Sequence, residues 1–421
     1  MGLLRRQRRK CVKDAVRHDA RVVSQTTAIA AGMLVLLCVQ STLARAADTD
    51  TATNAPIKVG IVAPMSGPNS RYGDFAWRGA EMAADEINSA GGIHGHKIEL
   101  LQGDSQCVPA EGVSATQRLV EYDKVTAIIG DVCSSVTLAM QPIVEKAHVI
   151  LLNAASSNPE ITRRAGVGGF RWTFRNYPTD ESRAMIALQY AAQVRGYTKL
   201  AALGVDSDYG RGAIGYTKKY LARFHATFLN EDYYKETETD FRPFLSRAKY
   251  EGAQAIVLYG LADSTPIIAR QMRELGMQGK VKLVGNAEFS AAQTIASAPS
   301  VLEGAIEASA WLPEWPDPRS VAFVSKFKSL YHGEVPSIQA YSPWETLHLL
   351  ADAMQQSASL DPSAIRNAVA NIDYHGAMGE VRFDDHNQGE LPMILTEIEH
   401  GKPVIKGSFR SDIDYGTPLK K

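Results

Sequence analysis

The sequence predicts an α/β protein with two doubly wound lobes, each built on a parallel sheet, and three observations lead to that fold. The chain has 421 residues, far more than one compact core needs. Short apolar, β-rich runs alternate with amphipathic helical stretches, which is typical of parallel sheets covered on both faces. The alternation restarts after 171–175 without a Pro/Gly/Ser-rich linker. We therefore expect two lobes joined by several short crossovers, which together form a multi-strand hinge.

The first half of the pattern contains four predicted strands and three predicted helices. The first strand is continuously apolar, as a strand buried on both faces should be. The first helix is stopped by Gly91 and Gly92, because glycine readily ends a helix. The strands are predicted at 57–62, 97–101, 126–129 and 149–152, and the helices at 74–88, 109–122 and 135–147.

The second half repeats the alternation and then changes character. The segment Trp311–Pro318 holds three prolines, which exclude a regular helix or a central strand. Helices and two late strands follow it. The strands of this half are predicted at 199–204, 255–258, 282–284, 380–383 and 393–399, and the helices at 210–224, 241–251, 264–275, 319–331, 342–356 and 362–370.

The composition is that of a globular protein, with 45% hydrophobic and 22% charged residues. Nine of the 45 basic and two of the 46 acidic residues lie within 1–46, which leaves the remainder with a formal net charge of −8. A folded part that acidic is a poor candidate for binding the phosphate backbone of a nucleic acid, so no nucleic-acid partner is expected.

Residues 1–46 are predicted to be a signal peptide. A basic region precedes an uncharged stretch of about 12 residues, Ala28–Val39, which is shorter than the roughly 20 residues that span a bilayer. Small residues lie where a signal peptidase needs them, so cleavage is expected near Ala46/Ala47. A short transmembrane anchor is the alternative. We expect a soluble periplasmic protein with no stable membrane insertion after cleavage.

Two cysteines remain after the predicted cleavage, Cys107 and Cys133. Two cysteines in an exported protein suggest one disulfide, because that compartment is oxidising. Two buried free thiols are the alternative.

Eight short stretches occur in a fixed order along the chain: Ile57–Pro68, Arg71–Asp74, Asp85–Gly95, Asp104–Pro109, Gly130–Ser135, Asn153–Ile161, Asp206–Gly212 and Met378–Asp384. Together they resemble the branched-chain amino-acid-binding family, the type I periplasmic solute-binding proteins that feed ABC importers. The resemblance implies two doubly wound lobes with three crossovers, lobe 1 at 56–177 plus 311–391 and lobe 2 at 178–310 plus 392–415. It places the ligand between the lobes, at the carboxyl ends of the strands, where open α/β sheets usually bind.

The predicted carboxylate site is the start of the helix that begins near Ser134 and Ser135. Backbone N–H groups at a helix start are unsatisfied, and the helix dipole adds positive character there. The resemblance places the ligand carboxylate at Ser134. Simple N-capping by serine is the alternative.

The predicted ammonium site combines two loops. Ala155, Ser156 and Ser157 follow the strand at 149–152. The resemblance implies that the Ala155 carbonyl and the Ser157 hydroxyl accept from the ligand ammonium, and that Glu288 supplies the opposing charge. A buried carboxylate is costly unless it is paired, so a cationic group is its natural partner. A solvated loop residue is the alternative for Glu288.

Three further residues are expected to form the walls of the cleft. The resemblance assigns Tyr72 and Tyr209 to opposite lobes, whereas ordinary packing is the alternative for both. Gln339 lies where leucine-type binders carry an aromatic wall, which weakens the case for a purely aliphatic ligand side chain.

The predicted function is capture of an amino-acid-like ligand by hinge closure, with the membrane subunits of an ABC importer as partner. A ligand sensor of the same fold, of the amide, urea or aromatic-acid type, is the alternative. The sequence lacks the nucleophile-elbow, phosphate-loop and zinc-protease motifs, so we expect no enzyme and no metal or organic cofactor.

Overall fold

The computed structural model describes residues 55–261, 263–286 and 288–409. The predicted signal peptide and its cleavage position lie outside the described residues, as does the end of the second predicted lobe beyond residue 409.

The first sheet has five strands, all parallel, in the order β2-β1-β3-β4-β5. Its helices come from two parts of the chain, one before the second sheet and one inserted between two strands of that sheet. The strands are β1 (Ile57–Ala63), β2 (Ile98–Asp104), β3 (Ala127–Gly130), β4 (Ile150–Asn153) and β5 (Thr173–Arg175), and the helices are α1 (Ser70–Ser89), α2 (Pro109–Gln117), α3 (Ser134–Ala147), α4 (Pro159–Arg164), α11 (Pro318–Leu330), α12 (Ile338–Gln356) and α13 (Pro362–Ala370).

Both faces of this sheet are buried, and strand β3 shows how. Ala127 and Ile129 pack into the core formed with α1, α11 and α12, whereas Ile128 packs on the other face against α3 residues such as Met140. Side chains alternate between the two faces of a strand, so a run that is apolar at every position requires cover on both sides. The continuous apolar strands of the sequence are thereby explained.

Helices α1 and α12 cross at close range, and Gly79 permits it. A Cβ added at Gly79 would lie 1.9 Å from the carbonyl oxygen of Ala340. The crossing fixes α1, whose first turn carries Tyr72, against the later part of the chain.

The second sheet has seven strands in the order β14-β13-β10-β9-β8-β6-β7. Strands β6 to β10 pair in parallel, whereas β10 with β13 and β13 with β14 pair antiparallel. The strands are β6 (Lys199–Val205), β7 (Thr227–Tyr234), β8 (Ala255–Tyr259), β9 (Lys282–Asn286), β10 (Ile306–Ser309), β13 (Met393–Glu399) and β14 (Lys402–Phe409), and the helices are α5 (Asp180–Gln189), α6 (Asp208–Leu221), α7 (Arg242–Tyr250), α8 (Ser264–Glu274), α9 (Ala292–Ser297) and α10 (Pro299–Leu302).

The chain passes between the sheets three times: after β5, after β10, and before β13. Between the last two passages lies a small hairpin of β11 (Tyr374–Gly376) and β12 (Gly379–Val381). Among the described residues, no helix is both long and apolar enough to cross a membrane.

The α/β class and the two wound sheets are confirmed, although individual elements differ from the prediction. The second sheet is mixed instead of purely parallel, because β13 and β14 form an antiparallel hairpin at its edge. Helix α12 begins at Ile338, four residues before the predicted start. Ser337 caps it by accepting from the Gln339 N–H at 3.3 Å, and Pro343 lies inside the helix.

The predicted disulfide is confirmed. Cys107 and Cys133 are bonded, with their Cα atoms 5.4 Å apart. Cys133 directly precedes α3, so the bridge ties the start of that helix to the loop between β2 and α2.

Candidate ligand-binding cleft

A cavity of about 860 Å³ lies at the carboxyl ends of strands from both sheets. Its size falls in the range of small-molecule sites. The first sheet and its helices contribute residues after β1, β3, β4 and β5, and the second contributes residues after β6, β8, β9 and β10. Six of the nine predicted ligand-binding residues line it: Tyr72, Ala155, Ser157, Tyr209, Glu288 and Gln339.

Two tyrosines enter the cavity from opposite halves of the chain. Tyr72 lies in the first turn of α1 and Tyr209 in the first turn of α6, and both are buried. The Tyr209 hydroxyl donates to the carbonyl oxygen of Asn286 at 2.7 Å. Burial raises the pKa of each phenol well above its ordinary value, and the charge of Glu288 adds to this effect at Tyr72. Both hydroxyls therefore stay protonated at neutral pH, and the single proton of Tyr209 is already used in its bond to Asn286.

The loop after β4 is held by Asn153. Its side-chain oxygen accepts from the N–H groups of Ala155 and Ser156 at 3.0 and 2.8 Å, and its amide donates to the Ser156 carbonyl at 2.9 Å. This turn places Ala155 and Ser157 on the cavity wall. Ser157 lies next to the buried Asp180, whose backbone N–H donates to the Ser157 carbonyl at 2.8 Å.

Three predicted residues do not line the cavity. The Ser134 hydroxyl is buried and accepts from the Asn158 N–H at 3.3 Å. The Ser156 hydroxyl donates to the Asp131 carbonyl at 2.7 Å. These two therefore support the loops around the cavity. Ser135 lies in the first turn of α3, beyond the lining, and Val132 just before that helix does reach the cavity.

Glu288 has an environment that sets it apart from an ordinary loop residue. Both carboxylate oxygens are buried, and neither has a hydrogen-bond partner within the described parts of the chain. Burial raises the pKa of this carboxyl to about 7, an effect that Arg71 partly offsets and that Glu307 and Asp263 reinforce. Its φ of 55° is uncommon for a residue with a side chain. A buried carboxylate left unpaired is costly, so this position suits a cationic group of a ligand.

Gln339 lines the cavity from the first turn of α12. It is buried, and its side-chain oxygen has no partner among the described residues. An aliphatic ligand side chain beside Gln339 would leave this oxygen without a hydrogen bond, whereas a polar ligand group could donate to it.

The two halves also contact one another beside the cavity. The Asn158 amide donates to the Asp208 carbonyl at 2.6 Å. Arg163 of α4 forms an ion pair with Glu181 of α5 at 2.8 Å and stacks on Tyr216 of α6, with its guanidinium carbon 5.1 Å from the ring centroid. These contacts hold α4 against α5 and α6.

A family model described as periplasmic binding protein matches residues 56–403. The chain belongs to the periplasmic binding protein family. Relatives are similar over most of their length. An amino acid binding protein of Pseudomonas aeruginosa is 28% identical over 80% of this chain and 88% of its own. A leucine-, isoleucine-, valine-, threonine- and alanine-binding protein of the same species is 27% identical over 80% and 87%.

A solved structure has a similar fold. The branched-chain amino acid transporter substrate binding protein of Streptococcus pneumoniae, in complex with isoleucine, has a TM-score of 0.74 and 24% identity. The match covers 85% of this chain and 99% of that one. Its likeness shows that this periplasmic binding protein shares the fold.

This periplasmic binding protein also has cavity residues that were not predicted. Tyr177 lies in the passage after β5 and Arg183 lies in α5, in a stretch for which no strand or helix was predicted. Arg183 stacks on Tyr177, with its guanidinium carbon 4.6 Å from the ring centroid. A guanidinium nitrogen of Arg183 lies 3.9 Å from the Asp180 carboxylate. Burial raises the pKa of the Asp180 carboxyl to about 6, and the positive charge of Arg183 offsets part of that rise.

Two more lining residues gave weak signals in the sequence. Glu307 is an acidic residue within an apolar strand, β10, and accepts from the Phe289 and Ser290 N–H groups at 3.3 and 3.0 Å. Arg71 precedes Tyr72 in a polar stretch ahead of the predicted helix at 74–88, where an arginine is usually solvated. Across the described ranges, no group of three or more His, Cys, Asp or Glu is placed to hold a metal ion.

Proposed function

We propose that this periplasmic binding protein captures an amino acid or a related zwitterion for an ABC importer. The observation that most directly supports this proposal is the buried carboxylate of Glu288, which has no hydrogen-bond partner among the described residues. Glu288 lines the same cavity as Ala155 and Ser157. An ammonium group placed among these three residues gains a charged partner and two neutral acceptors. The ligand carboxylate then points toward the start of α3, next to Val132, where backbone N–H groups favour an anion.

The names of the relatives support this ligand class, since both curated relatives are described as amino acid binders. Gln339 supports a ligand with a polar side chain over a purely aliphatic one, because its oxygen has no partner among the described residues. We infer binding and release of an unchanged ligand, without catalysis and without a cofactor.

The mechanism is closure of two lobes around the ligand. We propose lobe 1 at 56–177 plus 311–391 and lobe 2 at 178–310 plus 392–415. Tyr72 and Ser157 then belong to lobe 1, and Tyr209 and Glu288 to lobe 2. A ligand that touches both lobes stabilises the closed state by its higher affinity for that state. The membrane subunits of an importer would recognise the closed form, and cleavage of the signal peptide near Ala46/Ala47 would follow export.

A thermal-shift screen of the chain from residue 47 onward tests the ligand class. Amino acids should raise the melting temperature as their concentration rises, because binding to the folded state alone stabilises it. Calorimetry then gives the affinity and stoichiometry. If amides, urea or aromatic acids raise the melting temperature and no amino acid does, the amino-acid proposal is wrong.

Uptake of the identified ligand by a deletion strain separates the importer from the sensor. Loss of uptake that the wild-type chain restores supports the importer role. Unchanged uptake together with a lost transcriptional or chemotactic response would support the sensor.

A further inference from the structure

We propose that Arg71 binds a second acidic group of the ligand, so that the protein selects amino acids with acidic side chains over their neutral counterparts. This inference rests on the proposed amino-acid binding function and names the substrate class within it.

Arg71 is a cavity-lining cation without an anionic partner among the described residues. It lies in the first turn of α1, directly before Tyr72. Its Nε is buried and makes no hydrogen bond to any described residue. Its guanidinium carbon lies 5.4 Å from the centroid of the Phe75 ring, and none of the ion pairs between described residues involves it. A partly buried guanidinium with no anion beside it retains its full capacity to bind one.

The other arginine that lines the cavity and a second arginine of α1 both have carboxylates of their own. Arg183 has Asp180 at 3.9 Å. Arg78, two turns further along α1, has Asp74 at 2.8 Å and Glu334 at 2.7 Å. The unpaired state of Arg71 is therefore not a general property of this helix or of this cavity.

Glu288, on the other half of the chain, is a buried anion whose carboxylate oxygens have no hydrogen-bond partner among the described residues. The two residues line one cavity, and no nitrogen of Arg71 lies within the 4 Å ion-pair distance of the Glu288 carboxylate in the described structure. The positive charge of Arg71 nevertheless lowers the pKa of Glu288, so the two groups are within electrostatic reach. A ligand between them can present a cation to Glu288 and an anion to Arg71, and thereby satisfy both.

The anion at Arg71 is best supplied by the ligand side chain. The α-carboxylate and the ammonium share one carbon, so an ammonium near Glu288, Ala155 and Ser157 keeps the α-carboxylate close to the same loops and α3. A side-chain carboxylate extends several bonds further and can form a bidentate pair with the planar guanidinium. Gln339 fits the same ligand, since it adds a polar group to the wall.

Calorimetry with matched acid and amide pairs tests the proposal: L-glutamate against L-glutamine, and L-aspartate against L-asparagine, with L-leucine as the aliphatic reference. The wild-type protein should bind at least one acid about tenfold more tightly than its amide, the factor expected from one charge-assisted pair. Arg71→Gln should weaken the acid about tenfold and leave the amide within about threefold. Arg118→Gln, which removes an exposed arginine outside the cavity, is the matched control and should change neither affinity.

Two results would overturn the inference and leave amino-acid binding standing. One is a wild-type protein that binds glutamine, asparagine or leucine at least as tightly as the acids. The other is an Arg71→Gln variant that weakens acid and amide equally, which would assign Arg71 to the α-carboxylate. Absence of binding to every amino acid would reject the proposed function itself.

Discussion

The Asn158 side chain donates a 2.6 Å hydrogen bond to the backbone carbonyl of Asp208, joining the loop after β4 to the first turn of α6. Gly212 lies one turn further along the same helix. A Cβ added there would sit 2.8 Å from Nδ2 of Asn158, whereas one added at Gly215 would meet no atom within 4 Å. Asn158 also caps α4 through the Glu160 N–H at 2.9 Å, so its side chain has little freedom to move aside.

Gly212→Ala should therefore weaken ligand binding several-fold without lowering the melting temperature of the ligand-free protein. The methyl group displaces the Asn158 amide and disfavours the contact between the halves, while alanine itself favours a helix by about 1 kcal/mol over glycine. Calorimetry and thermal unfolding measure the two effects. Gly215→Ala is the control on the same helix and should keep the wild-type affinity. Equal affinities for both variants would show that this contact does not contribute to closure.

Glu288→Gln should weaken binding of an amino-acid ligand about tenfold or more, because it removes the charge that faces the ammonium. The same change should stabilise the empty protein at about pH 8. The raised pKa, about 7 in the folded chain against an ordinary value of 4.5, means that stability falls as pH rises through this window in the wild type. The amide has no such dependence.

Calorimetry and thermal unfolding of both proteins at about pH 4 and about pH 8 check this prediction. The melting temperatures should agree at the lower pH and separate at the higher one, with the variant more stable. A variant that binds normally would remove Glu288 from the site, and a variant less stable at about pH 8 would contradict the assigned burial cost.

Local patterns in the sequence predicted the strands with continuous apolar runs, such as β1, because burial on both faces leaves an unambiguous signal. Strand β7, Thr227–Tyr234, was missed because only two of its eight residues are fully buried. The site residues were predicted through resemblance, and their roles in binding stay a prediction. Ala155 and Ser157 are positioned by the turn at Asn153. Arg71 was not predicted, because whether an arginine in a polar stretch faces water or a cavity depends on how two distant halves of the chain pack.

Glu86 is predicted to lose its stabilising role on acidification. Burial raises the pKa of its carboxyl, but hydrogen bonds from His348, Lys326 and Trp344 outweigh that and hold it at about 2. The donor distances are 2.9, 2.8 and 2.9 Å. A depressed pKa gives stability that is present above the ordinary value of 4.5 and is lost as pH falls toward 2.

Urea unfolding of Glu86→Gln at about pH 7 and about pH 3 measures this effect. Since the Glu86 side chain is 28% exposed, we expect a loss of about 1 kcal/mol at neutral pH, and a smaller difference at the lower pH. Asp85→Asn removes the neighbouring exposed carboxylate and should change the free energy of unfolding by less than about 0.5 kcal/mol. A pH-independent loss in Glu86→Gln would attribute its role to packing.

Replacing Cys107 and Cys133 together with serine should lower the free energy of unfolding by about 3 kcal/mol, because the bridge closes a loop with a sequence separation of 26. Ligand affinity should also fall, since the bridge anchors the residue before α3, next to Val132 on the cavity wall. Urea unfolding and calorimetry of the wild type with and without reductant, beside the double variant, separate the contributions. Reductant should bring the wild type to the variant's stability and leave the variant unchanged. If the reduced wild type kept its affinity while losing stability, the bridge would support the fold without preorganising the binding loop.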